Sequence, residues 1–203
     1  MTKLSAIVFI LALFSYAFAP FVSGELEIGK KAPKTELKMK DVSGKELSLK
    51  DLKGKNGLLV IFSCNTCPWV VAWEDRYNEI HDVARKNDVG MIAINSNEAQ
   101  RGEDDSFEAM KEHAKSLGYT FNYVVDKNSE LANAFGATRT PHVFLFDKDM
   151  KLVYRGAIDD NSKDKSAVAK PYLKNAIENM AKGQEIDPQT TRSLGCTIKR
   201  KPS

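Results

Sequence analysis

An α/β domain is what the sequence predicts: a central mixed sheet flanked by helices, with a small N-terminal β-hairpin in front. Three observations carry this. The runs Leu58–Phe62 and Val89–Ile94 are almost wholly apolar, as strands buried on both faces are. The stretches between such runs switch to helical spacing, which implies parallel strands joined by helical crossovers. The last two runs, Val143–Phe146 and Lys151–Tyr154, are separated only by Asp147-Lys-Asp-Met150, as in an antiparallel pair joined by a tight turn.

In chain order, Leu37-Lys-Met39 and Leu47-Ser-Leu49 alternate in polarity around the turn-forming Val42-Ser-Gly-Lys45 and make the hairpin. Lys53-Gly-Lys-Asn-Gly57 delivers the chain to the first central strand. From Trp69 to Lys86, residues Trp73, Tyr77, Ile80, Val83 and Ala84 stripe one helical face. A second helix runs from Ser106 to Leu117. Glu103-Asp-Asp105 stands at its start, where free backbone N–H groups favour negative charge. Phe121–Val125 reads as a third strand and Ser129–Phe135 as a short helix closed by Gly136. A last helix spans about Ala167 to Lys182, with Leu173, Ala176, Ile177 and Met180 on one side.

The 203 residues carry 30 Lys and Arg against 27 Asp and Glu, a net charge of +3, so no basic field exists to hold nucleic acid. Apolar residues at 42% support an ordinary core without a metal staple. Residues 1–24 have Lys3 followed by an apolar run from Leu4 to Phe14, the pattern of a secretory signal peptide cut before Glu25. A retained N-terminal membrane anchor is the alternative. The expected organisation is a leader at 1–24, a domain at 25–183 and a tail at 184–203 that contains Cys196. The tail is either disordered or lies along the domain with Leu194 and Cys196 as anchors. A cleaved leader places the protein in the periplasm or outside the cell, with no stable membrane association, where disulfide chemistry is permitted.

The three cysteines are Cys64, Cys67 and Cys196. Cys64-Asn-Thr-Cys67 lies just beyond the first buried strand, where the next helix begins. Unpaired N–H groups there stabilise a thiolate. Cys64 is expected at the exposed mouth as the nucleophile, and Cys67 one turn on, within reach of a mixed disulfide. A structural disulfide and half of a zinc site are the competing readings of this spacing. Thr140-Pro141 stands directly before the strand Val143–Phe146. A cis proline facing the dithiol would leave the preceding carbonyl free to bind an extended substrate backbone.

Phe62-Ser-Cys-Asn-Thr-Cys-Pro-Trp69 together with Gly136-Ala-Thr-Arg-Thr-Pro-His-Val-Phe-Leu-Phe146 resembles the thioredoxin-like superfamily. More closely, the chain is similar to its redoxin branch of alkyl hydroperoxide reductase and thiol-specific antioxidant proteins. Ala93-Ile-Asn-Ser-Asn97, Tyr154–Asp160 and Gly195-Cys-Thr-Ile-Lys199 are similar to the peroxiredoxin-like group of that branch. The resemblance covers roughly 26–199 and implies a thioredoxin-like fold, a cis Pro141 and a redox pair at Cys64 and Cys67. The chain departs from the peroxiredoxin motif. With Cys67 in the peroxidatic position, Cys64 replaces the threonine that positions peroxide and Val60 replaces the proline; with Cys64 there, Ile61 and Gly57 stand in those places. The strand Leu58–Phe62 also lacks the buried acid of thioredoxin, which leaves Glu74, Asp75 and Arg76 as candidates to handle the Cys67 proton, although a solvated helix face explains them equally well.

The expected function is thiol-disulfide exchange through Cys64 and Cys67 on protein or small-molecule disulfides, with Thr140, Pro141 and Trp69 contacting substrate. Cys196, Arg139 and His142 are accessory candidates: Cys196 as a resolving thiol or a buried small hydrophobe, Arg139 as a positive charge near a thiolate. No cofactor is called for, and the partners are thiol or disulfide proteins or a dedicated electron donor. A thiol peroxidase is one alternative. A copper-binding or copper-delivery module using Cys64, Cys67 and His142 is another.

Overall fold

The computed structural model describes residues 24–202; residues 1–23, on which the leader reading falls, lie outside the described residues. Seven strands form one mixed sheet in the order β2-β1-β5-β4-β3-β7-β8. These are β1 Met39–Asp41, β2 Glu46–Leu47, β3 Gly57–Ser63, β4 Val89–Asn95, β5 Asn122–Val125, β7 His142–Asp147 and β8 Leu152–Gly156. The central strands β3, β4 and β5 are parallel, while β7 runs antiparallel to β3 and to β8, and β1 pairs antiparallel with β5 and β2. A separate ladder joins β6, Arg139–Thr140, to β9, Cys196–Thr197.

Because successive strand residues point to opposite faces, the apolar runs divide between two cores. Leu59, Ile61, Met91, Ala93, Val143 and Leu145 meet the helices α3 Tyr77–Lys86, α4 Phe107–Ser116 and α6 Tyr172–Ala181 on one face. Leu58, Val60, Phe62, Ile92, Ile94 and Phe144 meet α5 Glu130–Phe135 and the short α1 Leu49–Leu52 on the other. Each of these Leu, Ile, Val, Met and Phe side chains removed from water contributes about 1.5–3 kcal/mol.

Three elements differ from expectation. Leu49 does not extend the hairpin, because Ser48 caps α1 instead: its hydroxyl accepts from the Asp51 N–H, while the Asp51 carboxylate accepts from the Ser48 N–H in return. The helix expected over 69–86 is broken into α2 Pro68–Val71, a 3₁₀ turn at Glu74–Arg76, and α3. The break lets both Trp73 and Arg76 reach the buried Asp159, the indole N–H at 2.9 Å and the guanidinium at 2.5 Å. The last helix begins at Tyr172, since Pro171 holds its N-cap position and the segment before it makes only a 3₁₀ turn at Lys165–Ala167.

Residues 184–202 lie along the domain. Thr191 bonds the backbone of Arg155 and the Tyr154 hydroxyl, Leu194 packs against the core, and Ile198 is buried beside α5. At the start of β3, Gly57 has φ +142°, and a Cβ there would meet the Phe146 carbonyl oxygen at 2.0 Å. Gly57→Ala is therefore expected to destabilise the fold by about 2 kcal/mol or more, whereas Gly102→Ala, with open space around it, changes stability by less than about 0.5 kcal/mol. Urea denaturation of the two variants checks this; equal stabilities would contradict the close approach.

Candidate active site

The site forms where β3 and β4 end and β7 begins, at the carboxyl edge of the parallel strands. Ser63 closes β3, Cys64 follows it, and Cys67 is the N-cap of α2 with Pro68 as its first residue. Both thiols are buried, Cys64 at 2% exposure and Cys67 at 5%, so Cys64 does not sit at an exposed mouth. Thr140 faces the pair from the other side. Its hydroxyl lies 3.3 Å from the Cys64 sulfur, and its carbonyl accepts the Cys67 thiol at 3.2 Å.

The peptide bond between Thr140 and Pro141 is cis, as the resemblance implied. The backbone of Arg139–Thr140 is not free for a substrate strand, however. The chain's own Cys196–Thr197 pairs with it antiparallel, with Thr140 opposite Cys196. Gly195 makes this approach possible, since a Cβ there would lie 2.4 Å from the Thr140 carbonyl oxygen. Cys196 is half-buried and packs against the dithiol.

The sulfurs are electrostatically unequal. Cys67 is held below the ordinary thiol range, first by the adjacent Cys64 thiol. Burial opposes this, while the Cys196 thiol and the N–H groups of Val70 and Cys196 add to it. Cys64 is pushed up, first by the adjacent Cys67 and then by burial and the nearby Asp105 carboxylate. Cys196 is raised by burial and by Cys67, against an opposing N–H from Trp69. Charge on the pair is thus favoured on Cys67 over Cys64.

Asp105 is the site residue that sequence reasoning missed in this role. It is fully buried, and its carboxylate accepts from the Asn65 N–H at 2.9 Å, from Asn95 at 2.6 Å and from Asn97 at 2.8 Å. Asn65, between the two cysteines, also accepts from the Tyr123 hydroxyl at 2.9 Å. The Cys64–Cys67 loop is therefore pinned from beneath by a satisfied polar network. The usable signal was Asn95 and Asn97 at the carboxyl end of a central parallel strand, where polar residues replace an apolar run.

Other expected residues stand elsewhere. Arg139 donates to the Gly195 carbonyl at 3.0 Å, fixing the β6–β9 ladder. Trp69 stacks on Trp73 with ring centroids 6.0 Å apart and remains 38% exposed beside the dithiol. Glu74 pairs with His113 at 3.0 Å and Arg76 with Asp159, while Asp75 is exposed. These three serve neighbours other than Cys67.

His142 is 1% exposed, 4.5 Å from the Phe144 ring, and among the described residues no group of three His, Cys, Asp or Glu side chains is gathered for a metal. The copper ligand set Cys64, Cys67 and His142 is therefore not assembled. Burial, aided by Arg155 and Arg139, lowers His142 to about 3, so its ring is neutral in the fold. The folded value lies below the unfolded one, so protonation favours the unfolded chain, and stability falls as pH drops from about 6.5 toward about 3. Between about pH 7 and about pH 5 the protein is expected to lose on the order of 2 kcal/mol more stability than His142→Phe. Equal losses in denaturant titrations at the two pH values would contradict a buried neutral ring.

The Redoxin family model matches residues 27–172. Thiol-disulfide oxidoreductase ResA of Bacillus thuringiensis subsp. konkukian is 30% identical over 131 residues, which cover 64% of this chain and 69% of that relative. Among solved structures, an uncharacterized conserved protein from Geobacillus kaustophilus is similar with a TM-score of 0.81 and 34% identity, over 87% of this chain and 94% of that one. The thioredoxin domain of a thiol-disulfide oxidoreductase from Bacteroides vulgatus shares the fold, with a TM-score of 0.54 and 23% identity over 66% and 90% of the two chains. The match across the sheet, the site loop and β7 shows that this chain belongs to the Redoxin family and has a thioredoxin-like fold.

Proposed function

We propose that the chain is a thiol-disulfide oxidoreductase in which Cys67 attacks and Cys64 resolves. The observation that carries this is the place of Cys67 at the N-cap of α2, where free backbone N–H groups favour a thiolate, with Cys64 and Cys196 packed against it. A thiolate held this way is populated at neutral pH and is also a good leaving group. The order reverses the one expected from the sequence. Similarity to curated thiol-disulfide oxidoreductases supports the reaction class.

In the reducing direction, the Cys67 thiolate attacks one sulfur of a substrate disulfide. The Cys67–substrate bond forms as the substrate S–S bond breaks, and the first substrate sulfur leaves as a thiolate. Cys64 then gives up its proton and attacks the Cys67 sulfur. The second substrate sulfur leaves and takes a proton, and two electrons have passed from the dithiol to the substrate. The oxidising direction runs the same steps backward. Thr140 serves both stages, its hydroxyl beside Cys64 and its carbonyl beside Cys67.

The partners are thiol or disulfide groups, and a dedicated dithiol donor closes the cycle. Trp69 and Val71, exposed by 38% and 52% beside the dithiol, form the apolar rim that such a partner meets. The leader-like segment 1–24 supports action outside the cytoplasm. A thiol peroxidase gains nothing from this geometry, because the position that would orient a peroxide is the buried Cys64, whose sulfur lies against the Thr140 hydroxyl.

Wild-type protein is expected to accelerate dithiothreitol-driven reduction of insulin disulfides, and Cys67→Ser to abolish this. With an activated disulfide such as dithiodipyridine, Cys64→Ser/Cys196→Ser is expected to hold one adduct on Cys67. The partner variant Cys67→Ser/Cys196→Ser forms an adduct on Cys64 more slowly by about a hundredfold. Intact-protein mass over time measures both; faster adduct formation on Cys64 would reverse the roles.

A further inference from the structure

The expected substrate slot beside Thr140 is filled by the chain itself, and the residue it brings there is a cysteine. Cys196 stands opposite Thr140 in the β6–β9 ladder and packs against the Cys64–Cys67 pair. Cys67 therefore shares one packed cluster with a buried thiol, Cys64, and a half-buried one, Cys196.

This placement is held firmly. Ile198 N–H bonds the Thr138 carbonyl at 3.0 Å, Lys199 N–H bonds the Asn97 side chain at 2.9 Å, and Arg139 clasps the Gly195 carbonyl. Asn97 also bonds Asp105, so one polar network locates both the Cys64–Cys67 loop and the strand that carries Cys196. A merely buried small hydrophobe needs no such alignment with a reactive sulfur.

We propose that Cys196 is a third redox thiol that exchanges with the buried disulfide and carries its oxidising equivalent to the surface. This rests on the dithiol reading above. In the oxidised protein, Cys196 loses its proton and its sulfur attacks the Cys67 sulfur. The Cys64–Cys67 bond breaks, Cys64 leaves and takes up a proton, and a Cys67–Cys196 bond forms without net electron transfer. A dithiol donor then attacks the Cys196 sulfur and Cys67 leaves as the thiolate. The donor's second thiol releases Cys196 and forms the donor disulfide, which delivers two electrons. An external partner thus meets the one sulfur of the three that is not buried, and the buried pair stays shielded from random thiols.

The test treats reduced variants with one equivalent of dithiodipyridine and reads intact mass, released thiopyridone and the disulfide map. Cys64→Ser is expected to release two thiopyridones per reagent molecule and to end as a Cys67–Cys196 disulfide with no adduct. Cys64→Ser/Cys196→Ser keeps the adduct on Cys67. If the double variant holds the adduct and Cys64→Ser holds it too, the exchange is refuted while the dithiol reading stands. If the double variant forms no adduct on Cys67, the dithiol reading itself fails.

Gly195→Ala in the Cys64→Ser background gives a second readout that keeps every thiol. Its added Cβ would lie 2.4 Å from the Thr140 carbonyl oxygen, so it must shift the strand and slow Cys67–Cys196 closure by about tenfold. In otherwise wild-type protein, Cys196→Ser is expected to slow re-reduction of the Cys64–Cys67 disulfide by dithiothreitol by about tenfold. Unchanged re-reduction would overturn the surface-relay role.

Discussion

Thr140 is the contact on which the redox centre depends. Buried to 1% exposure, it touches Cys64 with its hydroxyl and Cys67 with its carbonyl, and its backbone pairs with Cys196. A single residue at the entry to β7 therefore fixes the mutual positions of all three sulfurs. Its own position follows from the sheet, since β7 is locked against β3 from His142 to Asp147, opposite the strand that ends at the dithiol.

Within that frame the chemistry is a matter of where one proton and one negative charge reside. Two adjacent buried thiols cannot both ionise at an acceptable cost, so the difference between their surroundings decides which one does. Cys67 stands at the start of α2, whose N–H groups favour charge there against burial and the Thr140 carbonyl. For Cys64, burial near the carboxylate of Asp105 outweighs the Thr140 hydroxyl beside it. The carboxylate does more than disfavour a second charge. Its bonds to Asn65, Asn95 and Asn97 also make the loop rigid, which preserves the asymmetry.

Much of this was legible in the sequence. The two-faced burial of Leu58–Phe62 and Val89–Ile94 read directly as central strands, and the Cys-x-x-Cys at the strand-to-helix junction marked the chemistry. Three things were not legible, each because it depends on a contact distant in sequence. The helix over 69–86 breaks to satisfy Asp159, more than seventy residues away. Asp105 read as a helix-start acid, and only the folded chain turns it under Asn65. Cys196 reaches the dithiol only through the β6–β9 ladder and the close approach of Gly195. Periodicity reports burial along one segment; it carries nothing about which sulfur a remote strand will reach.

The central claim is that Cys67, and not Cys64, carries the thiolate of the reduced site. Its most direct test is a titration of the reduced protein with labelled cysteine, following the three Cβ carbon shifts by NMR from acid to alkaline pH. Cys67 is expected to ionise well below the ordinary thiol range, while Cys64 stays a thiol throughout the range in which the fold persists. Ionisation of Cys64 first, or a Cys67 midpoint at the ordinary thiol value of about 8.5, would contradict it.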